Sequence, residues 1–293
     1  MRTTAFVLLM LAASFFAYRK ATEPFDYWMY VAAVGDTSSA SQHIPPEIIQ
    51  QRMGFYSVKP LFLASCRITA TFLGPQRAVN FVTVLFYFLT GTVVWLWAER
   101  RTLLSILLVT SFTVMDAARL GTPDTMQAFF LLFGAWLLTR GNRYYWVPLL
   151  LSVWVRADAA ILGCLLVASD AYRQKQIPWA ILPIAASAIW LEVGYRQLVS
   201  FTTQGSYLHG MMATFTNGAL TLLFPFVLLG ALAWKAGGDR WMLAIAGLAH
   251  VFHIILFPNA DTRYALVPCL IVGVQAILAC QCCIPQKLVG KHI

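Results

Sequence analysis

Apolar runs follow one another along nearly the whole chain, at about 3–18, 79–98, 102–116, 123–139, 143–156, 157–172, 177–195, 217–235, 240–257 and 264–283. Each is bounded by a few charged or turn-forming residues. In lipid, a backbone must satisfy its own polar groups, which leaves helices as the structure open to such runs. The pattern predicts an all-α fold, a polytopic transmembrane bundle of about ten spans forming a single domain over 1–293. The longest polar stretch, 20–77, is expected to be an outer loop carrying juxtamembrane helices. Several runs are shorter than the roughly 20 residues that cross a bilayer, so neighbours can merge, above all at Arg156-Ala157-Asp158.

Composition agrees. Hydrophobic residues make up 59% of the chain and charged ones 11%, with a mean hydropathy of +0.69, whereas soluble domains carry roughly 25% charged residues. A net charge of +9 raises the question of nucleic acid. Its distribution answers it. The basic residues fall in pairs between apolar runs (Arg100-Arg101, Arg140 with Arg143, Arg173 with Lys175, Lys235 with Arg240, Lys287 with Lys291) rather than in a stripe with exposed aromatics. Pairs of this kind mark cytoplasmic loops. Nucleic acid is therefore not an expected partner. The six cysteines lie mostly within apolar runs, so no disulfide framework is implied.

With the basic pairs inside and both ends inside, the opposite loops collect the acids Asp116, Asp124, Asp158 and Asp261, and the long first loop holds Glu23, Asp26, Asp36 and Glu47. The run 58–73, interrupted by Lys59 and Arg67 eight residues apart, reads as an amphipathic helix lying at the outer interface. A cleaved signal peptide is the alternative reading of the first run. Ionisable groups at span ends are costly unless they face water or a partner. Here they converge on one side, together with Arg119, Arg156 and Arg263, and describe a polar cavity open to the outer leaflet.

Within that cavity the candidate residues each have two readings. Asp26 begins a short helix carrying Tyr27 and Tyr30, where it either caps the helix or acts as a general base. In Asp116-Ala-Ala-Arg119-Leu-Gly121-Thr122-Pro123-Asp124, Thr122 suits an N-cap and Pro123 the first helical position, so capping accounts for Asp124 but not for Asp116 and Arg119. Arg156 and Asp158 form either a local ion pair at a tight turn or a substrate contact. Arg263 and Tyr264 stand at a span entrance, where the guanidinium either snorkels to headgroups or grips a phosphate. His250 and His253 share a helix face, as a packed pair or as part of a metal site with Asp261. No Walker loop, zinc signature, GxSxG or dinucleotide fingerprint is present. No cofactor is expected, and no motif indicates a divalent metal.

An acid in a long first outer loop with juxtamembrane helices, a second loop whose aspartate opens a span (Pro123-Asp124-Thr125-Met126-Gln127), an Arg156-Ala157-Asp158 turn and a late Arg263-Tyr264-x-x-x-Pro268 together resemble the GT-C superfamily of polyprenyl-phosphate-dependent membrane glycosyltransferases. The resemblance implies transfer of a sugar from a lipid-linked donor to an acceptor (glycan, lipid or protein) on the outer face, in a bacterial inner membrane. It implies Asp26 as the first-loop catalytic carboxylate, Asp116 or Asp124 as the second-loop acid, and Arg263 as the phosphate-contacting arginine. The chain departs from many members in its shortness and in lacking a paired-acid motif in the first loop. The rival readings are a transporter or flippase for a lipid-linked or anionic substrate, and a non-catalytic membrane subunit of cell-envelope assembly.

Overall fold

The computed structural model describes residues 2–194, 219–256 and 265–282. Among them every regular element is an α-helix. The helix α1 (Arg2–Arg19) is followed by four helices of the first loop: α2 (Phe25–Val34), α3 (Thr37–Ala40), α4 (Pro46–Ser57) and α5 (Pro60–Leu73). The bundle continues with α6 (Pro75–Trp97), α7 (Thr102–Val109), α8 (Phe112–Arg119), α9 (Asp124–Thr139), α10 (Trp146–Val155), α11 (Ala159–Gln174) and α12 (Ile181–Gly194). It closes with α13 (Ala219–Lys235), α14 (Arg240–Leu256) and α15 (Leu266–Cys282).

Two apolar cores organise these helices. The larger lies inside the bundle, where Tyr87, Leu132, Leu149, Leu166 and Ile184 are fully enclosed and Phe6 stacks on Trp95 with ring centroids 4.6 Å apart. The smaller belongs to the first loop. There α2 packs on α4, α5 and α6, and the cluster extends to Met126 of α9 and Val155 of α10. Seven consecutive residues of α2, Tyr27 to Ala33, are buried. A helix apolar all round must be covered all round, so α2 lies under α4 and α5 rather than on a surface.

The expected amphipathic helix exists, with a different logic. Lys59 lies just before α5 and is buried at 6% exposure, while the face of α5 turned outward carries Ile68, Leu73 and Phe72, the last 84% exposed. Arg67 donates from Nη2 to the carbonyl of Ala33 (2.9 Å) near the C-terminal end of α2, where a cation complements the helix dipole. Polar groups thus point toward the protein and apolar ones away from it. The same holds across the bundle exterior, where Leu8, Phe15, Leu103, Leu182, Trp190 and Leu232 are exposed. An apolar exterior of this extent is matched by lipid.

Among the described residues only α6 is long and apolar enough to cross a membrane unaided; α7 and α8 meet the same test together, bent by 59°. Among the described helices, one is thus long and apolar enough to cross a membrane, or two if the bent pair is one span, against about ten expected. The run 102–116 is not one rod: α7 ends with Thr110 as its cap, and Ser111 is extended (φ −58°, ψ 153°) before α8 begins. The ten residues of α10 reach only about 15 Å at 1.5 Å per residue. The three-residue break at 156–158 is retained between α10 and α11, which pack on each other rather than merging.

Candidate active site

The turn before α9 is built to hold one carboxylate. Gly121 has φ +63°, and a Cβ there would lie 2.6 Å from a ring carbon of Tyr27 and 2.9 Å from Oδ1 of Asn80, so glycine is required on both counts. Threonines then fasten the turn to α6. Thr83 donates to Thr122 O (3.2 Å), Thr125 to Thr83 O (2.7 Å), and Thr90 to Thr125 O (3.1 Å). Thr122 does not cap the helix. Pro123 holds the cap position with no side-chain hydrogen bond, and the Thr122 hydroxyl instead donates to Oδ2 of Asp124.

Asp124 is 3% exposed, and its other oxygen is bound by Nη1 of Arg156. The same guanidinium donates from Nε and Nη2 to the two oxygens of Asp158, at 3.2 and 2.8 Å. Gln127, one turn beyond Asp124, donates from Nε2 to Oδ1 of Asp158 at 3.0 Å, and His253 of α14 places Nδ1 3.8 Å from Oδ2. The sequence Arg156-Ala157-Asp158 is thus a local ion pair and more. Its arginine also reaches across to the acid that opens α9. A cavity of about 40 Å³ lies beside the cluster, lined by Asp124, Gln127, Asp158, His253 and Pro268 among others.

The first loop brings a second set of groups to the same end of the bundle. Asp26 sits in the first turn of α2, where Pro24 is the cap residue, and accepts a hydrogen bond from the Tyr56 hydroxyl of α4. Tyr30, one turn further on, meets Tyr56 and Phe62 edge-on at 5.0 and 5.2 Å. Burial holds its phenol well above the ordinary value of 10.0, with Arg156 acting against this and Asp26 and Asp124 adding to it. Tyr30 therefore stands where the fields of both loops overlap.

Lys59 completes the set. Its ammonium donates to Phe55 O (2.6 Å), lies 3.8 Å from the centre of the Phe55 ring, and has Tyr56 and Tyr30 within 5.5 and 6.0 Å. Burial pushes it from 10.5 down to about 7; Arg156 lowers it further, while Asp158, Glu192 and Asp26 oppose the shift. Burial among these rings therefore favours the neutral amine over the ammonium.

Asp26, Asp124, Arg156 and Asp158 are brought to one end of the molecule. Asp116 lies half-buried on α8. Arg119 donates from Nε to Lys20 O (2.7 Å), and its own carbonyl accepts from Thr22 N (2.9 Å), so it latches the α1–α2 connection onto the end of α8. Arg263, Tyr264 and Asp261 lie outside the described residues. Among the described residues no group of three or more His, Cys, Asp or Glu is disposed to hold a metal ion. Five contributors were not among the expected site residues: Tyr30, Tyr56, Lys59, Gln127 and Glu192. A lone charge inside a long apolar run, as at Glu192 within Ile181–Gly194, is the signal that points to such a residue.

With this geometry in hand, known proteins can be compared. The fold resembles ArnT. The crystal structure of ArnT from Cupriavidus metallidurans, bound to undecaprenyl phosphate, superposes with a TM-score of 0.55 at 15% sequence identity, covering 95% of this chain and 60% of that one. The chain thus spans about three fifths of the length of that structure, and the likeness is one of fold. The sequence matches no protein-family model and no curated protein.

Two outcomes follow from the electrostatics. Arg156→Ala leaves Asp124 and Asp158 without their shared cation and is expected to cost about 3–5 kcal/mol, with part recovered when Asp124→Asn is added; thermal unfolding of the purified variants measures this. Because the pKa of Lys59 is depressed on folding, the unfolded chain binds the extra proton between about pH 7 and 10.5. Stability from this group therefore rises with pH across that window. The melting temperature of the wild type should climb relative to Lys59→Met between pH 7 and 9, and parallel curves would contradict the assignment.

Proposed function

We propose that the chain is a membrane glycosyltransferase that moves a sugar from a polyprenyl-phosphate donor to an acceptor hydroxyl, with Asp26 as general base. The observation that carries this reading is the meeting of a polar cluster with an apolar groove. A groove of about 460 Å³, lined by Phe226, Gly230, Trp234, Val251 and Val272 of α13, α14 and α15, shares Pro268 with the cavity beside Asp158. His250 lines the groove and His253 the cavity, one helical turn apart. In this reading the groove takes the hydrocarbon tail, and the Lys59 and Arg156 side of the polar cluster takes the phosphate. The fold likeness to a protein solved with undecaprenyl phosphate supports the same class of donor, as does the resemblance of the loop motifs to GT-C enzymes.

In this reading the acceptor oxygen attacks the anomeric carbon of the donor, and the bond from that carbon to the phosphate oxygen breaks. The acceptor proton passes to Asp26, and the phosphate departs on its lipid with both electrons of the broken bond. Asp26 suits the role because the Tyr56 hydroxyl orients it and because it opens α2 at the end of the bundle where the other acids lie. Lys59 and Arg156 supply positive charge toward the departing phosphate. An arriving phosphate would favour the ammonium form of Lys59, so donor binding and protonation are coupled. Asp124 and Asp158 hold the Arg156 guanidinium in place.

The test is transfer by the reconstituted protein from a panel of polyprenyl-phosphate sugars. Asp26→Asn should reduce turnover by about 10²-fold or more while donor binding and melting temperature stay near wild type. Wild-type turnover in that variant would remove Asp26 from the role of base. Movement of the intact lipid-linked sugar across the bilayer without any transfer would favour a transporter instead.

A further inference from the structure

A second polar cavity, of about 220 Å³, lies at the opposite end of the bundle. It is framed by the α9–α10 loop, the C-terminal turns of α11 and the α11–α12 loop. Leu138, on its wall, is fourteen residues along α9 from Asp124, which at 1.5 Å per residue is about 21 Å away. The cavity belongs to none of the groups described above. Its lining pairs two indoles, Trp146 and Trp179, with the planar polar side chains of Asn142, Asp170, Gln174 and Gln176. The indoles meet edge to face with centroids 5.2 Å apart, and Trp179 is more than half exposed. Gln174 donates to Oδ1 of Asp170 at 2.7 Å, tying two of the polar groups together on one turn of α11.

We infer that this cavity is a binding site for a neutral pyranose. An indole face takes the apolar C–H face of a sugar ring. Carboxylate and amide groups, each with paired donors or acceptors, take vicinal hydroxyls two at a time. The wall carries one carboxylate, Asp170, and one guanidinium, Arg143, a balance that suits a neutral ligand better than an anionic headgroup. Asp170 would repel it, and the one arginine there, Arg143, is drawn aside onto the neighbouring Tyr144, donating to its hydroxyl at 2.7 Å with the guanidinium 4.8 Å from the ring centre. The site lies on the side of the basic pairs Arg140, Arg143, Arg173 and Lys175, so the sugar is presented from the face opposite the proposed transfer site. It arrives either free in solution or as the head of a glycolipid in that leaflet.

The experiment uses the full chain in phosphatidylcholine nanodiscs free of sugar-headed detergent. Methyl β-D-glucopyranoside in solution is followed by saturation-transfer NMR and by tryptophan fluorescence, and monoglucosyl diacylglycerol is incorporated into a parallel set of discs. The expected result is saturable binding of at least one probe, weakened about tenfold by Trp179→Ala and again by Asp170→Asn, with Asp26→Asn binding like the wild type. Binding of the free glycoside identifies a soluble sugar; binding only of the glycolipid identifies the headgroup. Binding of neither, binding indifferent to both substitutions, or displacement of the probe by anionic lipid at equal potency would overturn the inference. Because Asp26→Asn separates the two ends, failure here leaves the proposed transfer reaction standing, and the reverse.

Discussion

One guanidinium organises the polar end of this molecule. Arg156 binds Asp124, which opens α9, and Asp158, which precedes α11, and so joins α9, α10 and α11. Charges placed this deep are tolerable only when paired and hydrogen-bonded, and here each partner is bonded again, Asp124 by Thr122 and Asp158 by Gln127. The short turn between α10 and α11 is fixed by this arrangement. So is the cavity beside it, since Gln127, Asp158 and His253 line the space that the triad leaves open.

The first-loop helices are laid over that end like a second storey with its own core. Burying all of α2 from Tyr27 to Ala33 requires α4 and α5 to cover it, and this in turn encloses Lys59 among Phe55, Tyr56 and Tyr30. The consequence is chemical. Burial away from water, with Arg156 adding to it, lowers the pKa of this lysine well below the ordinary value. The apolar groove of α13 to α15 adjoins the same end through Pro268.

Much of this was legible from residue order. The helical class follows from the apolar runs, and the gathering of Asp26, Asp124, Arg156 and Asp158 follows from charges sorted by alternate loops. What the order of residues hides is depth and direction. Asp124 looked like a helix-start acid, yet its oxygens face Thr122 and Arg156; Arg119, grouped by sequence with the outer polar cavity, fastens Lys20. Lys59 and Arg67 share a spacing that suggests a polar surface stripe. In the structure Lys59 is buried, while Arg67 stays exposed and reaches back to the carbonyl of Ala33. The bend at Thr110 and Ser111 was hidden because the same residue types continue helices elsewhere, as Thr83 and Thr92 do within α6. Gln127, Tyr30, Tyr56 and Glu192 come from separate segments, and only the packing of α2, α4, α9 and α12 shows that they converge.

The central claim is that the polar cluster receives a phosphate while the groove receives its lipid. Native mass spectrometry of the full chain, released from nanodiscs with undecaprenyl phosphate or with undecaprenol, tests it most directly. The account predicts retention of the phosphate well above the alcohol, with that preference lost in Lys59→Gln. Equal retention of phosphate and alcohol by the wild type would show that only the tail is recognised, and would contradict it.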